Sequence, residues 1–344
     1  MRIVLVDSCL AYGPLDAHFS PLGGTETSWI ALAESFQARG HEVHVYLRQP
    51  GVPEYEGVSY HKLGDHAGAT GEVVIARSPD LFQDRGASKK GRIWWCHRSL
   101  ETESVLLAQK FQVYPVVTSR FQADQLSTCG WRGGFDVIPL GCRLLRFRPG
   151  RHAREPFTAI WTSAFDRGLA QLLAIWRAIR DRLPRERKLL IAGGGEVYRE
   201  RGHYLHTCEA NLRRETEGEA DIAWLGPLPP QELFSVLSSS GFLPYTATVP
   251  ESFCLAVLEA QAAGCLPIVA PKGALKERVH HGKTGWIEPL ESFGERIVTY
   301  CGHAADPEIE SMRKAAEEAA ARLSWEEVAK RFEEAIRNCL ATVL

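Results

Sequence analysis

The sequence predicts an α/β protein of two doubly wound domains facing a central cleft. Three observations predict it. Short apolar runs alternate with helical patterns along the chain, the mark of parallel sheets covered on both faces. The alternation breaks once, at residues 143–154, where five arginines, Pro149 and Gly150 read as a linker. The length, 344 residues, suffices for two domains of ordinary size.

In the first half, strand-like runs fall at 3–7, 42–47, 73–76, 93–96, 113–118 and 137–140. Helical patterns fall at 25–39, 100–110 and 121–129. Beyond the linker, strands are expected at 159–162, 189–192, 223–226 and 242–244, and helices at 169–182 and 231–239. An amphipathic helix over 255–263 follows, ended by Gly264 as a C-cap. The apolar run 265–270 then reads as a buried strand. Residues 308–341 are almost entirely helical in pattern. The boundaries predicted are 1–150 for an N-terminal domain and 151–323 for a C-terminal one, with a final helix, 324–344, returning to the first.

Composition narrows the function. The chain is 45% hydrophobic and 24% charged, with net charge −2, so it offers nucleic acid no overall attraction. No apolar run approaches the roughly 20 residues that span a bilayer. The N-terminus turns polar too quickly for a signal peptide and reads as a first buried strand. Nine scattered cysteines without a Cys-x-x-Cys pair argue for reduced thiols in a cytoplasm and against structural zinc.

The chemistry concentrates between Val249 and Pro267. Glu251 follows Pro250 in a turn, and Glu259 lies eight positions on, two turns into the helix. One acid thus stands beside a helix N-terminus and the other down its flank. A helix N-terminus offers unpaired N–H groups and positive dipole character to a phosphate. Flanking acids accept hydrogen bonds from sugar hydroxyls. Together they suit a nucleotide-sugar, whereas either acid alone is compatible with a solvated surface helix.

Other features sit at strand ends, where ligands bind in this architecture. Gly23-Gly24-Thr25-Glu26 opens a helix, and paired glycines let backbone approach a phosphate; a tight turn capped by Thr25 explains them as well. The pair is neither a P-loop nor a Gly-x-Gly-x-x-Gly turn. His97 ends the run Arg92-Ile93-Trp94-Trp95-Cys96 and is placed to meet sugar or phosphate oxygens, or to be satisfied by nearby backbone. Arg167, after the first strand of the second half, is placed to stabilise a departing diphosphate; the alternative is a surface pair with Asp166. Gly193-Gly194-Gly195 and Trp224-Leu225-Gly226 are further strand ends where a nucleoside fits.

These motifs together resemble the retaining GT-B glycosyltransferases of family 4, over nearly the whole length. The most specific are Pro250-Glu251-Ser252-Phe253 through Glu259, Ala263-Gly264-Cys265-Leu266-Pro267 and Gly282-Lys283-Thr284-Gly285. The resemblance implies two doubly wound Rossmann-like domains, the first for the acceptor and the second for the donor. It implies that Glu251 contacts the donor sugar and Glu259 the ribose hydroxyls. Ser252, Phe253, Cys254, Leu255 and Ala256 would line the donor, with Gly23, Gly24 and Gly193. Catalytic roles fall to Glu251, Arg167 and His97. Two departures stand out. Family members carry an Arg and a Lys five apart after the first strand of the second domain, and here Thr162 and Arg167 occupy those positions. Ser252 and Cys254 replace the glycines of Glu-Gly-Phe-Gly. The linker arginines, Arg143 among them, are candidates to compensate.

The function expected is transfer of a sugar from a nucleotide-diphospho-sugar to a glycan, lipid-linked or small-molecule acceptor. It would proceed with retention by front-face displacement, without a metal or other cofactor. The alternatives are a nucleotide-sugar-binding relative without turnover and a nucleotide-sugar epimerase. Loops 8–22 and 77–92 are expected to shape the acceptor site. The basic cluster Arg85, Lys89, Lys90 and Arg92 suits a lipid phosphate or acidic glycan, or is a solvated loop. A cytoplasmic protein with peripheral contact at the inner face of the membrane fits these expectations.

Overall fold

The computed structural model describes residues 1–83, 91–147, 153–194, 197 and 202–342. The chain forms two compact units, Met1–Gly141 with Leu323–Leu344, and Cys142–Arg322. The division falls ahead of the arginine-rich run. That run does not open as a linker: Arg143–Arg146 is a 3-10 turn with Arg143 and Leu144 buried in the second unit. Arg148 and Arg151 lie outside the described residues, as do Arg85, Lys89, Lys90 and Gly195.

The first unit contains, in order, β1 (Arg2–Val6), α1 (Pro14–Phe19), α2 (Gly24–Ala38), β2 (Glu42–Leu47), β3 (Glu54–Tyr55) and β4 (Val58–Lys62). It continues with β5 (Val73–Ala76), β6 (Gly91–Trp95), α3 (Thr102–Lys110), β7 (Tyr114–Val117), α4 (Arg120–Thr128) and β8 (Asp136–Val137). Its eight-stranded sheet has the order β3-β4-β2-β1-β5-β6-β7-β8. Only the small β3–β4 pairing among those described is antiparallel. Strands β5 and β7 are buried along their whole length, as expected where helices cover both faces.

The C-terminal helix, Trp325–Thr342, packs within this unit. Val328, Phe332, Ala335, Ile336 and Cys339 form its buried stripe at helical spacing. Phe332 meets Phe36 of α2 edge-on, and Glu333 accepts two hydrogen bonds from the Arg39 guanidinium, at 2.6 and 2.9 Å. Gly141 lies so close to the Trp325 indole that a Cβ there would stand 2.6 Å from it.

The second unit contains β9 (Glu155–Trp161), α5 (Leu169–Ile179), β10 (Lys188–Ala192), α6 (Gly202–Glu215), β11 (Ile222–Gly226), α7 (Pro230–Ser239) and β12 (Ser240–Tyr245). It continues with α8 (Leu255–Ala262), β13 (Leu266–Val269), α9 (Leu275–Arg278), β14 (Trp286–Ile287), α10 (Leu290–His303) and α11 (Pro307–Ala321). The six strands run in the order β11-β10-β9-β12-β13-β14, with parallel pairings throughout. Each sheet therefore winds outward from its first strand, then reverses: at β1/β5 in the first unit and at β9/β12 in the second. Such reversals leave a crevice at the carboxyl ends of the two strands, where ligands of open α/β sheets bind. Both units thus have the doubly wound form that the sequence predicts.

Candidate functional site

The reversal in the second unit gathers the residues with the strongest chemistry. β9 ends at Trp161 and β12 at Tyr245, and the two rings stack with centroids 5.2 Å apart. Beyond them the chain makes two loops, one carrying Ser163 to Gly168 and the other Thr246 to Glu251. The loops are stitched together. Thr248 donates its N–H to the Arg167 carbonyl at 3.1 Å, and the Thr246 hydroxyl donates to the Gly168 carbonyl at 2.7 Å. Gly168 has φ +129°, and a Cβ there would stand 2.4 Å from the Thr246 carbonyl oxygen. Only glycine suits both the conformation and the space.

This stitching brings Arg167 to Glu251. The guanidinium donates to Glu251 Oε1 at 3.2 Å, and the Tyr245 hydroxyl donates to the same oxygen at 2.7 Å. Ser163 Oγ lies 3.1 Å from the Tyr245 hydroxyl. Glu251 is buried while the Arg167 side chain is one-third exposed. Arg167 thus pairs with Glu251 across the two loops. Burial holds the Tyr245 phenol well above its usual range, with the nearby Cys254 and Glu251 adding to the effect, so it remains a donor. Glu251 Oε2 has no hydrogen-bond partner among the described residues. The backbone of Glu251 is fixed separately: its carbonyl accepts from Ala274 N at 2.9 Å, and it bridges to Gly273. Gly273 has φ +59°, and a Cβ there would lie 2.4 Å from the Glu251 carbonyl oxygen.

Ser252, Phe253 and Cys254 lead from Glu251 into α8. Cys254 is the N-cap, in the left-handed region at φ +73°, ψ +83°. The cysteine thus keeps the backbone conformation that a glycine would favour, at a cost of about 1–2 kcal/mol. No side chain caps α8 and no acid occupies its first turn. The N–H groups around Leu255 and Ala256 therefore face an end that is positive and not internally neutralised. Gly264, at φ +67°, follows the helix in the expected capping conformation.

Glu259 lies two turns along α8. Its carboxylate has no hydrogen bond among the described residues. Burial raises its pKa to about 7, and Arg143 opposes the rise. Arg143 thus acts on Glu259. Gly193, at the end of β10, donates its N–H to the Gly226 carbonyl at 2.9 Å. That amide joins two strand ends, and what Gly193 offers a ligand is its lack of a side chain. Beside it Phe165 meets Trp224 edge-on, and Arg213 lies 4.5 Å over the Trp224 ring.

The remaining expected residues belong to the first unit. Gly23 is the N-cap of α2 and Gly24 its first residue, so the helix starts ahead of Thr25 and Thr25 is not its cap. The first turn carries Glu26, buried and 3.4 Å from Arg77. Arg77 follows β5 and also donates to both oxygens of the fully buried Asp7, which follows β1, at 3.1 and 3.2 Å. Tyr12 donates to Asp7 at 2.6 Å. His97 packs against Trp95 and Trp29. Burial, reinforced by Arg77 and Arg98, pushes its pKa well below the usual value, so it acts as a neutral imidazole.

Sequence reading placed Gly273 in a turn and Ser163 and Gly168 in the segment of Arg167 without giving them a role, and it missed Tyr245 and the Asp7–Arg77–Glu26 network. Their only signal was position at the ends of apolar runs. No group of His, Cys, Asp and Glu that would hold a metal ion occurs among the described residues. No described helix is long and apolar enough to cross a membrane.

Comparison with known proteins bears on the fold and on the second unit. Residues 150–297 match the family model of the glycosyl transferases group 1. The lipopolysaccharide 1,2-N-acetylglucosaminetransferase of Salmonella typhimurium is 29% identical over 177 residues, covering 50% of this chain and 45% of the relative. This match therefore spans less than half of the relative's length. Sucrose-phosphate synthase from Thermosynechococcus elongatus superposes with a TM-score of 0.79 at 18% identity, over 99% of this chain and 100% of that one. HepE of Anabaena, solved in complex with UDP-glucose, gives 0.73 at 16% identity, over 98% of this chain and 100% of that one. The chain thus has the GT-B fold, and its residues 150–297 are similar to the glycosyl transferases group 1.

Proposed function

We propose that this protein is a retaining glycosyltransferase that takes a sugar from a nucleotide-diphospho-sugar held by the second unit. One observation carries the reading. At the sheet reversal, a buried carboxylate and a guanidinium are fixed beside a helix N-terminus that lacks acids, with a second, unbonded carboxylate on the same helix. The diphosphate would meet the α8 N–H groups and Arg167. Glu251 Oε2 would accept from a donor-sugar hydroxyl while Oε1 stays with Arg167 and Tyr245. Glu259 would accept from the ribose hydroxyls.

In the transfer step, the bond from the anomeric carbon to the diphosphate oxygen breaks, and the bond to the acceptor oxygen forms on the same face. The acceptor proton passes to the departing diphosphate. Negative charge grows on that leaving group, and preorganised amides and Arg167 stabilise it without reorganising. Arg167 and these amides take the role that a divalent metal would otherwise fill, so turnover should survive EDTA. The acceptor is assigned to the first unit, with neutral His97 as a hydrogen-bonding group there. The Salmonella relative is named for lipopolysaccharide, which makes a saccharide hydroxyl the first acceptor to try.

The test is thermal stabilisation by UDP-, GDP-, ADP- and dTDP-sugars, with Glu259→Ala alongside. A specific ligand raises the melting temperature by mass action. We expect one base to stabilise the wild type and to lose most of its effect in Glu259→Ala. Binding without release of nucleoside diphosphate across a panel of saccharide acceptors would replace transfer by a binding role. No stabilisation by any donor would overturn the reading.

A further inference from the structure

Resting on that reading, we propose that Arg278, at the end of α9, is a second cation for the donor diphosphate, working beside the α8 N-terminus.

The argument begins with charge accounting. Arg167 is partly committed, since it already bonds Glu251, and Arg143 is felt by Glu259. The basic residue that the resemblance places at the end of β9 is replaced by Thr162. Arg278 is different. Its guanidinium lies 5.5 Å over the ring of Phe253, the residue that precedes the α8 N-cap. Its electrostatic neighbours include Cys254, which is that cap, and Cys142. Burial lowers its pKa from the usual value, with Cys142, Cys254 and Glu277 opposing the fall. Among the described residues it forms no salt bridge, and its buried Nε finds no hydrogen-bond acceptor.

A half-buried guanidinium that no carboxylate holds in a salt bridge is costly, and a chain segment built only for packing has no need of it. Phe253 supports the cation on one side through its ring face. Phe253 and Cys254 lead directly into α8, whose opening amides are also positive in character. Two positive features flanking the same short segment, Phe253-Cys254, are mutually unfavourable until an anion joins them. A diphosphate supplies that anion, with oxygens enough for Arg167, the α8 amides and Arg278 together. A guanidinium suits the role because it binds phosphate oxygens through a planar fork. The position was not legible in sequence, because Arg278 closes the short helix α9 and only the fold brings it to Phe253.

The test compares a nucleoside diphosphate with the monophosphate of the same base. Calorimetric affinities for UDP, GDP, ADP and dTDP first identify the base that the wild type binds. Arg278→Gln should then weaken that diphosphate by roughly ten- to a hundredfold and leave the monophosphate little changed. Arg278→Lys should recover part of the loss. The melting temperature of the unliganded variants shows that the fold is kept. If Arg278→Gln keeps the full diphosphate preference of the wild type, Arg278 is not a diphosphate ligand. If it weakens both nucleotides equally, its role is in packing around Phe253, and the inference is again overturned. A wild type that binds none of the four nucleotides would remove the donor-site reading and this inference with it.

Discussion

The two sheet reversals of this molecule are built alike and charged differently. In each, a carboxylate, an arginine and a tyrosine meet at the carboxyl ends of adjacent parallel strands. At β1/β5 the arginine, Arg77, lies between Asp7 and Glu26, and Tyr12 completes the set. The helix nearby, α2, already carries Glu26 in its first turn. At β9/β12 the arginine, Arg167, has Glu251, which also takes Tyr245. The helix nearby, α8, has no acid in its first turn. The first reversal sets two carboxylates against one arginine and suits hydroxyl-rich or neutral ligands. The second leaves positive character uncompensated and suits an anion. The same fold therefore supplies two crevices, and a few carboxylates set the difference in charge between them.

The largest expected effect separates geometry from charge in the second reversal. Gly273→Ala adds a Cβ 2.4 Å from the Glu251 carbonyl and must move that backbone. A displacement of about 1 Å at a reacting centre costs roughly a hundredfold, so initial-rate assays should show turnover lower by about that factor. Retention of wild-type turnover would show that the position of Glu251 is not critical.

The next prediction sets the two reversals against each other. Asp7→Ala leaves Arg77 and Tyr12 buried without their main partner and should destabilise the fold by about 3–5 kcal/mol. Nucleotide affinity should stay near that of wild type in the fraction that folds. Glu251→Ala should show the reverse pattern, with a modest loss of stability and a large loss of turnover. Denaturant unfolding and donor titration on both variants would break the comparison if the two patterns coincided.

The smallest effect concerns Glu259 and pH. Its folded pKa, about 7, lies above the ordinary carboxylate value of 4.5. The folded protein therefore holds this proton longer than the unfolded chain does, and stability falls as pH rises between those two values. Glu259→Gln should remove that slope, so the variant should gain on the wild type at pH 8 and match it near pH 4.5. Donor affinity should move the other way in the wild type. It should rise with pH through about 7 as the carboxylate forms, and Glu259→Gln should flatten the rise. Melting curves and donor titrations across pH 5–8 check both signs.

Much of this was legible in the chain. Strands buried on both faces are continuous apolar runs, so β1, β2, β5, β10 and β13 were found close to their true limits. The pair Glu251 and Glu259 was legible because one short segment carries both acids and the helix between them. Shorter or more polar elements escaped. The edge hairpin β3–β4 has little apolar surface, α1 hides in a long loop behind Pro14, and α6 is largely polar in composition. The supports of Glu251 escaped for another reason. Gly168 and Thr246 are 78 positions apart, and only the strand order brings their loops together. Arg278 and Phe253 meet by the same kind of route.

Gly168 and Gly273 also bear on how such a protein can change. Both hold the Glu251 loop by backbone contact, so its position does not rest on the side chains along its outer face. Val249 and Pro250 are exposed there and form no part of the clamp. Substitution at those two positions offers evolution, or an engineer, a way to reshape the surface of the loop while the Glu251 carboxylate keeps its place.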